Sequence, residues 1–489
     1  MNPIDRFVHF FSPEAGERRM RARVRAEAVM NYDAATKGRR AYGWKAPSTS
    51  ADAAAFGNRK RLRQLSRDMV RNRAFAARAQ MVVRANVVGT GIVPTVKARG
   101  RNEQATLEDL LSRHLLTPNI DAGGEYDLYE MQDLVMAGVF TDGEVLLRRR
   151  HRNLRRDPWL PMPFQVEILE PDYLDERVQS WGKNIVVEGV EYGPTGAIEA
   201  YHLFDEHPGG VQNRRNLQSR RVHWSDVIHI RRFDRPGQLR GVPWLAPVMM
   251  TLGELSDYQE AQILKQRMAS LMAVVIEWTD DAQRPATPGK GLEDLQPGAV
   301  VNLPSGAKPN FTSPPSVDGY PDFMRIGLQT VAVGLGITYE SLSSDLKNVN
   351  FSSARMGRTE MDRLVAMWRR GLMIAQFGGG IARWFNEALP LMGHVGLSAE
   401  FGWTPPRRIL VDPTKEVPAM IAEVEAGITS RQRTQRELGY DPAVIQRERE
   451  EDRAADAKAG LSPAVAKAPA AGSEQPKDKE NGDDDEEGL

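Results

Sequence analysis

Carboxylates crowded around a glycine suggest acid–base chemistry, and Asp142-Gly143-Glu144 is the most tempting such cluster in this sequence. A helix-to-strand turn is expected at the same point, so the turn is the better reading. The nearest approach to a phosphate-cradling GxxxxGK[ST] loop is Pro288-Gly289-Lys290-Gly291. It lacks the first glycine at the required spacing and lies among prolines, so it too reads as a turn. Asp280-Asp281 and the run Asp483 to Glu487 have no partners that would complete a metal constellation, and both read as solvated charge. HExxH and GxSxG are absent, and the 8 histidines are scattered, which leaves a zinc site little support. No catalytic residue, metal ligand or cofactor is expected, and the chain does not read as an enzyme.

With 489 residues the chain exceeds one ordinary core, so two or three domains, or one core with long excursions, are expected. Charged residues make up 27% of it and no apolar run is long enough for a bilayer, so a soluble chain with no membrane partner is expected. The first 25 residues turn basic after Phe7–Phe11 and read as no secretory signal. The absence of cysteine excludes disulfides and thiolate sites and suits a reducing cytoplasm. The formal charge of zero hides an asymmetry: about 21 basic against about 7 acidic residues up to position 100, and about 8 acids against 2 lysines from Ser473 on.

Among the elements that must position any site, Arg59 to Val88 has helical spacing of Leu62, Leu65, Met69, Ala76, Ala79 and Val83, with arginines on the other faces, and predicts one or two amphipathic helices. A strand is expected across Val87–Val96, and a helix from about Leu128 to Phe140 that stops at Asp142-Gly143. EVLLRRR, FQVEILEP, NIVVEGVEY, AIEAYHLF and VIHIRRF predict a small mixed sheet. From Leu245 to Trp278 no proline or turn cluster intervenes, and one apolar stripe from Val248 to Val275 predicts a single long helix that needs neighbours along its length. Thr279 to Asp318 is Pro- and Gly-rich, with room for two strands, and Tyr320–Leu335 is helical again. This order predicts a projecting hairpin with a small module at its tip. Ser341–Asn350 is polar, and a long helix follows from Ser352 or Ser353, with Met361, Leu364, Val365, Trp368 and Leu372 as its stripe. Gly378-Gly379-Gly380 predicts a kink or break in it. Short helical patches run to about Lys458, and the remaining acidic tail is too polar to fold.

Four stretches follow one another in order: Tyr42 and Trp44 with SRDMVRNRAFAARA and NVVGTGI, then HIRRFDRPGQLRGVPWLAPVM, then GLGITYESLSSDLKNVNFSSAR, and finally Val411–Glu416 with Gly427, Ser430 and Gly439. Together they resemble the portal proteins of phage lambda's family. The glycine triplet, and Phe351 where Tyr is usual, are departures. The resemblance implies an α+β portal-type fold with a mixed-sheet wing, paired long stem helices, a small clip, a long kinked wing helix and a helical crown. Its segments would be a basic arm (1–41), wing (42–240), first stem helix (241–278), clip (279–318), second stem helix (319–340), tunnel loop (341–352), long wing helix and return (353–411), crown (412–458) and acidic tail (459–489).

By the same resemblance about twelve copies would form a ring at one capsid vertex, through which double-stranded DNA is packaged and ejected. The partners implied are the ring's own copies, DNA, the terminase large subunit, a head–tail connector, and the capsid and scaffold proteins. The location implied is the virion, reached by way of the host cytoplasm. Clip residues expected to meet motor or connector are Glu277, Trp278, Asp280, Asp281, Arg284, Lys290 and Lys308.

A channel lined with arginines would grip DNA and stall it, because each phosphate contact steepens the salt dependence by roughly 0.9 in log K. The tunnel loop has Lys347 as its one cation, so Ser343, Ser344, Lys347, Asn348 and Asn350 are the expected DNA-facing residues. The bland alternative is an interhelical loop in which Asn350 and Ser352 cap the next helix. The arginines of 59–84 are expected to pair with acids across subunit interfaces rather than to bind DNA. Other readings are a different head–tail ring component or, less favoured, a packaging enzyme.

Overall fold

The computed structural model describes residues 13–14, 48–210, 218–271, 275–278, 307–310, 319–347, 350–406 and 412–460. The chain divides into two compact units, Met1–Phe56 with Arg235–Leu239, and Gly57–Asp234 with Arg240–Leu489. In the smaller one, helix α1 (Ala51–Ala55) is capped by Ser50, whose Oγ accepts from Ala53 N at 3.2 Å, and the Asp52 carboxylate accepts from Leu239 N at 2.8 Å. Arg235 donates to Thr49 O at 3.1 Å, which ties the two segments of this unit together.

The larger unit begins with α2 (Arg59–Asn72) and α3 (Ala74–Val87), so the arginine-rich stretch is two helices. Strand β1 (Val93–Lys97) and α4 (Arg101–Leu110) follow, then α5 (Leu128–Asp142). Asp127 starts α5 with a capping box, accepting from Tyr129 N and Glu130 N at 2.8 and 2.9 Å while Glu130 accepts from Asp127 N. Gly143 ends it in the left-handed region.

The strands that follow build two sheets. They are β2 (Glu144–His151), β3 (Phe164–Leu169), β4 (Ser180–Trp181), β5 (Asn184–Val187), β6 (Val190–Tyr192), β7 (Ile198–Phe204), β8 (Ser219–His223) and β9 (Val227–Arg231). One sheet has the order β3-β2-β9 and the other β4-β5-β6-β7-β8. The expected mixed sheet is corrected: every strand pair among the described residues is antiparallel, and parallel pairing is confined to the isolated bridge Asp121–Val166. Parallel neighbours need a crossover of a dozen or more residues, whereas β5–β6 and β6–β7 are joined by tight turns.

The three-stranded sheet is the middle layer. Val145 and Leu147 of β2, with Ile228 and Ile230 of β9, face the large helical core, while Leu146 and Val227 face the five-stranded sheet with Val190, Tyr201 and Leu203. Alternation thus serves two cores, which is why EVLL reads as continuously apolar.

Next come α6 (Met249–Leu271), β10 (Val275–Trp278), β11 (Ala307–Asn310) and α7 (Tyr320–Leu335). The single helix expected to Trp278 is corrected: Val275–Trp278 is a strand paired with Ala307–Asn310, because the β-branched run Val274-Val275-Ile276 suits extended backbone. The rest of the Thr279–Asp318 excursion lies outside the described residues. Helices α6 and α7 are antiparallel. A β-carbon built on Gly327 would stand 2.4 Å from Leu255, and one on Gly334 2.4 Å from Val248, so two glycines set the close approach. Tyr258 stacks with Tyr320 and meets Phe323 further out. Along α6 the first part finds cover among the described residues, where Leu252 and Leu255 are buried, whereas Leu264 of the same stripe is 58% exposed among them.

The remaining elements are α8 (Tyr339–Ser343), α9 (Phe351–Trp368), a π-helical stretch Arg369–Gly378, α10 (Gly379–Ala388), β12 (Glu400–Thr404), α11 (Pro413–Glu425), α12 (Arg431–Glu437) and α13 (Pro442–Ala459). Of the kink or break expected at the glycine triplet, the break is absent: the chain is helical from Phe351 to Ala388, with π-helical turns over Arg369–Gly378 running up to the triplet. The glycines serve packing. A β-carbon on Gly378 would stand 2.6 Å from the Trp403 ring, and one on Gly380 2.3 Å from Ile228, but Gly379 has only its own helix near it. Gly379→Ala is therefore expected to stabilise the protein by up to about 1 kcal/mol. Gly378→Ala and Gly380→Ala should each cost about 1–3 kcal/mol. Urea unfolding of the three variants checks this, and equal effects would refute the packing role.

Candidate nucleic-acid interface

The polar segment after α7 is built by a series of local caps. Gly336 closes α7 in the left-handed region, and Thr338 starts α8, its Oγ1 accepting from Ser341 N at 3.2 Å. Ser344 ends α8 at φ 58°, a conformation costing roughly 1–2 kcal/mol in a residue with a β-carbon. Asp345 then folds the chain over: its Oδ1 accepts from Lys347 N at 3.2 Å and its own N–H donates to Ser343 Oγ at 3.1 Å. Arg78 of α3 donates to Ser341 O at 3.0 Å and pins the segment to the arginine-rich helices.

The five expected DNA-facing residues fare differently. The Ser343 hydroxyl is spent on Tyr339 O at 2.8 Å. Asn350 caps α9, accepting from Ser353 N at 2.8 Å, in keeping with the bland reading for that residue; the helix therefore begins at Phe351, just before the expected Ser352 or Ser353. Ser344 and Lys347 are exposed, and Asn348 lies outside the described residues. A feature that sequence reasoning does not find is Leu346, which is 67% exposed beside Lys347 in an otherwise polar loop. Another is a groove of about 550 Å³ between α7–α8 and α9, floored by Ile337, Met361 and Leu364 and rimmed by Glu340 and Glu360. No spacing rule would reveal either, since both depend on how three helices meet. Among the expected clip residues, Glu277 and Trp278 lie on β10 and Lys308 on β11, with Glu277 opposite Lys308 in the register. Asp280, Asp281, Arg284 and Lys290 lie outside the described residues.

Four arginines of α2 and α3 find acids within the chain, so these four need none from a neighbouring subunit, contrary to the expectation for them. Arg59 pairs with Glu188, Arg63 lies 3.3 Å from Glu176, Arg67 is bidentate on Asp142 at 2.8 and 2.7 Å, and Arg84 pairs with Asp133. Burial pushes the Asp142 carboxyl up to about 6 in spite of Arg67, which leaves the pair ionised at neutral pH. Glu144, on the other side of Gly143, is wholly buried and accepts from Arg240 Nε, His229 Nε2 and Gly241 N at 2.8, 2.9 and 2.8 Å. Burial opposes its ionisation, yet Arg240 and His229 hold the carboxyl well below the usual range. Both carboxylates of Asp142-Gly143-Glu144 are thus consumed by structural arginines, as the turn reading expects. The cluster Glu170, Asp172 and His207 could in principle hold a cation, but Arg67 already lies 3.2 Å from Glu170 and 2.6 Å from Asp172.

A family model described as phage portal protein, lambda family, matches residues 37–369 of the chain. The chain belongs to the lambda family of phage portal proteins. This portal chain is 26% identical over 441 residues to a probable portal protein of Halomonas phage phiHAP-1, covering 84% of this chain and 83% of that one. It is 22% identical over 495 residues to portal protein B of Escherichia phage lambda, with 86% and 88% covered. A chain in the solved virion of a native gene transfer agent particle matches with 15% identity and a TM-score of 0.49 over 78% of this chain and 94% of its own. The portal family is a structural component of the capsid vertex, and the α+β architecture and the channel role expected from the sequence both stand. No helix among the described residues is long and apolar enough to cross a membrane.

Proposed function

We propose that about twelve copies of this portal chain close into a ring whose α6–α7 pairs line up as a stem around the DNA path. The observation that carries this reading is the antiparallel α6–α7 pair, with the β10–β11 strands at one end and the Ser341–Asn350 loop at the other. On this reading the strand end is the clip, where Glu277, Trp278, Asp280, Asp281, Arg284, Lys290 and Lys308 meet the terminase large subunit and later the head–tail connector. The loop faces duplex DNA through Ser344, Lys347 and Asn348, while Ser343 and Asn350 shape it. Residues 412–458 form the crown, and capsid and scaffold proteins surround the wing. Assembly takes place in the host cytoplasm. The ring itself hydrolyses nothing, and the energy for translocation comes from the motor.

One lysine per loop fits a passage that touches phosphate and releases it, since each additional cation would deepen the counterion-release effect. Imaging of purified protein should show toroids with a hole wide enough for duplex; a persistent monomer or a closed disc refutes the ring. Rings of Lys347→Ala should bind short duplex with a salt slope shallower by about 0.9 for each lysine that no longer neutralises a phosphate. An unchanged slope would place DNA elsewhere.

A further inference from the structure

A ring closes through head-to-tail contacts, so each chain must carry two different surfaces that fit one another. Two such surfaces stand out on the helices around the loop. The first is a ridge along α9 and the start of the π-helical stretch, where Met356, Arg363, Met367 and Arg370 recur at steps of seven, four and three and share one side. Met356 is 74% and Met367 59% exposed. Arg358 and Arg369 are engaged elsewhere: Arg358 pairs with Asp362 at 3.0 Å, and Arg369 donates to Val87 O at 2.8 Å. Arg363 and Arg370 are exposed and have no ion-pair partner among the described residues.

The second surface is the groove between α7–α8 and α9. Its apolar floor opens beside Val333, which is 81% exposed, and its rim carries Glu340 and Glu360, neither of which has an ion-pair partner among the described residues. The ridge is thus apolar with two free guanidiniums, and the groove apolar with the free carboxylate of Glu340 and, on the edge of α9 where groove and ridge adjoin, that of Glu360. Arginines on a DNA-facing wall would hold the duplex back, so a contact between subunits is the better place for them. We propose that, in the ring, the Met356–Arg370 ridge of one copy seats in the groove of the next, with Arg363 and Arg370 meeting Glu340 and Glu360 of that neighbouring copy and Met367 covering Val333. This rests on the ring reading and adds to it the surfaces by which the copies meet. It also couples each loop, which lies between α8 and α9, to its neighbour.

The test uses the full chain. Wild type is first shown to form rings by mass measurement and imaging; failure at this step sinks the ring itself and the contact with it. The pair Glu340→Arg/Glu360→Arg and the pair Arg363→Glu/Arg370→Glu should each raise the concentration needed for half-assembly by about tenfold or more, since like charges then face each other. All four changes together should restore assembly. Thermal unfolding of the unassembled variants should match wild type, as none of the four side chains is buried. Because the sequence has no cysteine, Val333→Cys with Met367→Cys should give a ladder of disulfide-linked multimers on oxidation, and each single variant none. Rings that form normally with either reversed pair, or rings of the cysteine pair that give no ladder, overturn the proposal. A loss of DNA binding by Arg363→Glu/Arg370→Glu in rings of unchanged stability also overturns it and assigns the ridge to nucleic acid.

Discussion

Arg240→Met is expected to destabilise the protein by about 3–5 kcal/mol, read as the loss of unfolding free energy in urea. Arg240 and Glu144 are completely buried and in contact, and Arg240 also donates to Glu188 O at 2.6 Å. Removing the guanidinium leaves Glu144 as a charge without its main counter-ion, with only His229 and the Gly241 N–H beside it. The penalty is that of stranding a charge rather than the worth of the pair, so Arg240→Met with Glu144→Gln should recover much of the loss. A double variant as unstable as the single one would show that the side chains matter for shape alone.

The pH dependence follows from the same centre. Burial pushes the His229 imidazole down to about 4. Its Nε2 donates to Glu144, and its Nδ1 is buried without a partner among the described residues, so the folded protein keeps it neutral. Below the ordinary histidine value near 6.5 the unfolded chain takes up a proton that the folded one refuses, and stability falls between there and pH 4. Glu144 acts in the same sense at lower pH, since its contribution is present above the unfolded carboxylate value and is lost as pH drops towards its depressed folded one. Asp142 opposes both: with its folded carboxyl raised to about 6, the folded state gains stability as pH falls from there towards 4. Asp142→Asn removes that compensation, so its stability should fall more steeply than wild type between pH 6.5 and 4. Parallel curves would refute the assignment.

Gly143→Ala carries the second large effect, a loss of about 3 kcal/mol or more. Gly143 has φ 88°, where a β-carbon costs roughly 1–2 kcal/mol by itself. That carbon would also stand 2.3 Å from the backbone carbon of Val242, and backbone cannot swing aside. Overpacking of this kind adds about 1–3 kcal/mol. Gly396→Ala is the control: φ is 84° but nothing lies within 4 Å, so only the conformational part, about 1 kcal/mol, should be lost. Similar losses at both positions would mean that Val242 gives way.

These glycines also separate what a sequence discloses from what it hides. Asp142-Gly143 is legible as a helix stop because the signal is local, and so are the arginine helices, α5, α7 and the alternating strands. The 378–380 triplet misleads because propensity is local, while the partners that make it helical, Trp403 and Ile228, are distant in sequence. The end of α6 is invisible because an apolar stripe continues from helix into strand without changing composition. Arg59, Arg63, Arg67 and Arg84 look unpartnered in the sequence because their acids, from Asp133 to Glu188, arrive only through the folding of α5 and the antiparallel sheets. Of the candidate site, the cap at Asn350 and the single loop cation are visible. Leu346 and the groove are not, since exposure of an apolar group is decided by what fails to cover it.

The pairing of β1 with β12 sets a timetable for synthesis. Val93–Lys97 has Glu400–Thr404 as its only strand partner among the described residues. On a ribosome adding about 5–20 residues per second, the first of these waits roughly 15–60 s for the second. Throughout that interval β1 has two open edges, which makes the nascent chain a client for holding factors. A translation product that stops short of residue 400 never completes this sheet and keeps both edges of β1 open.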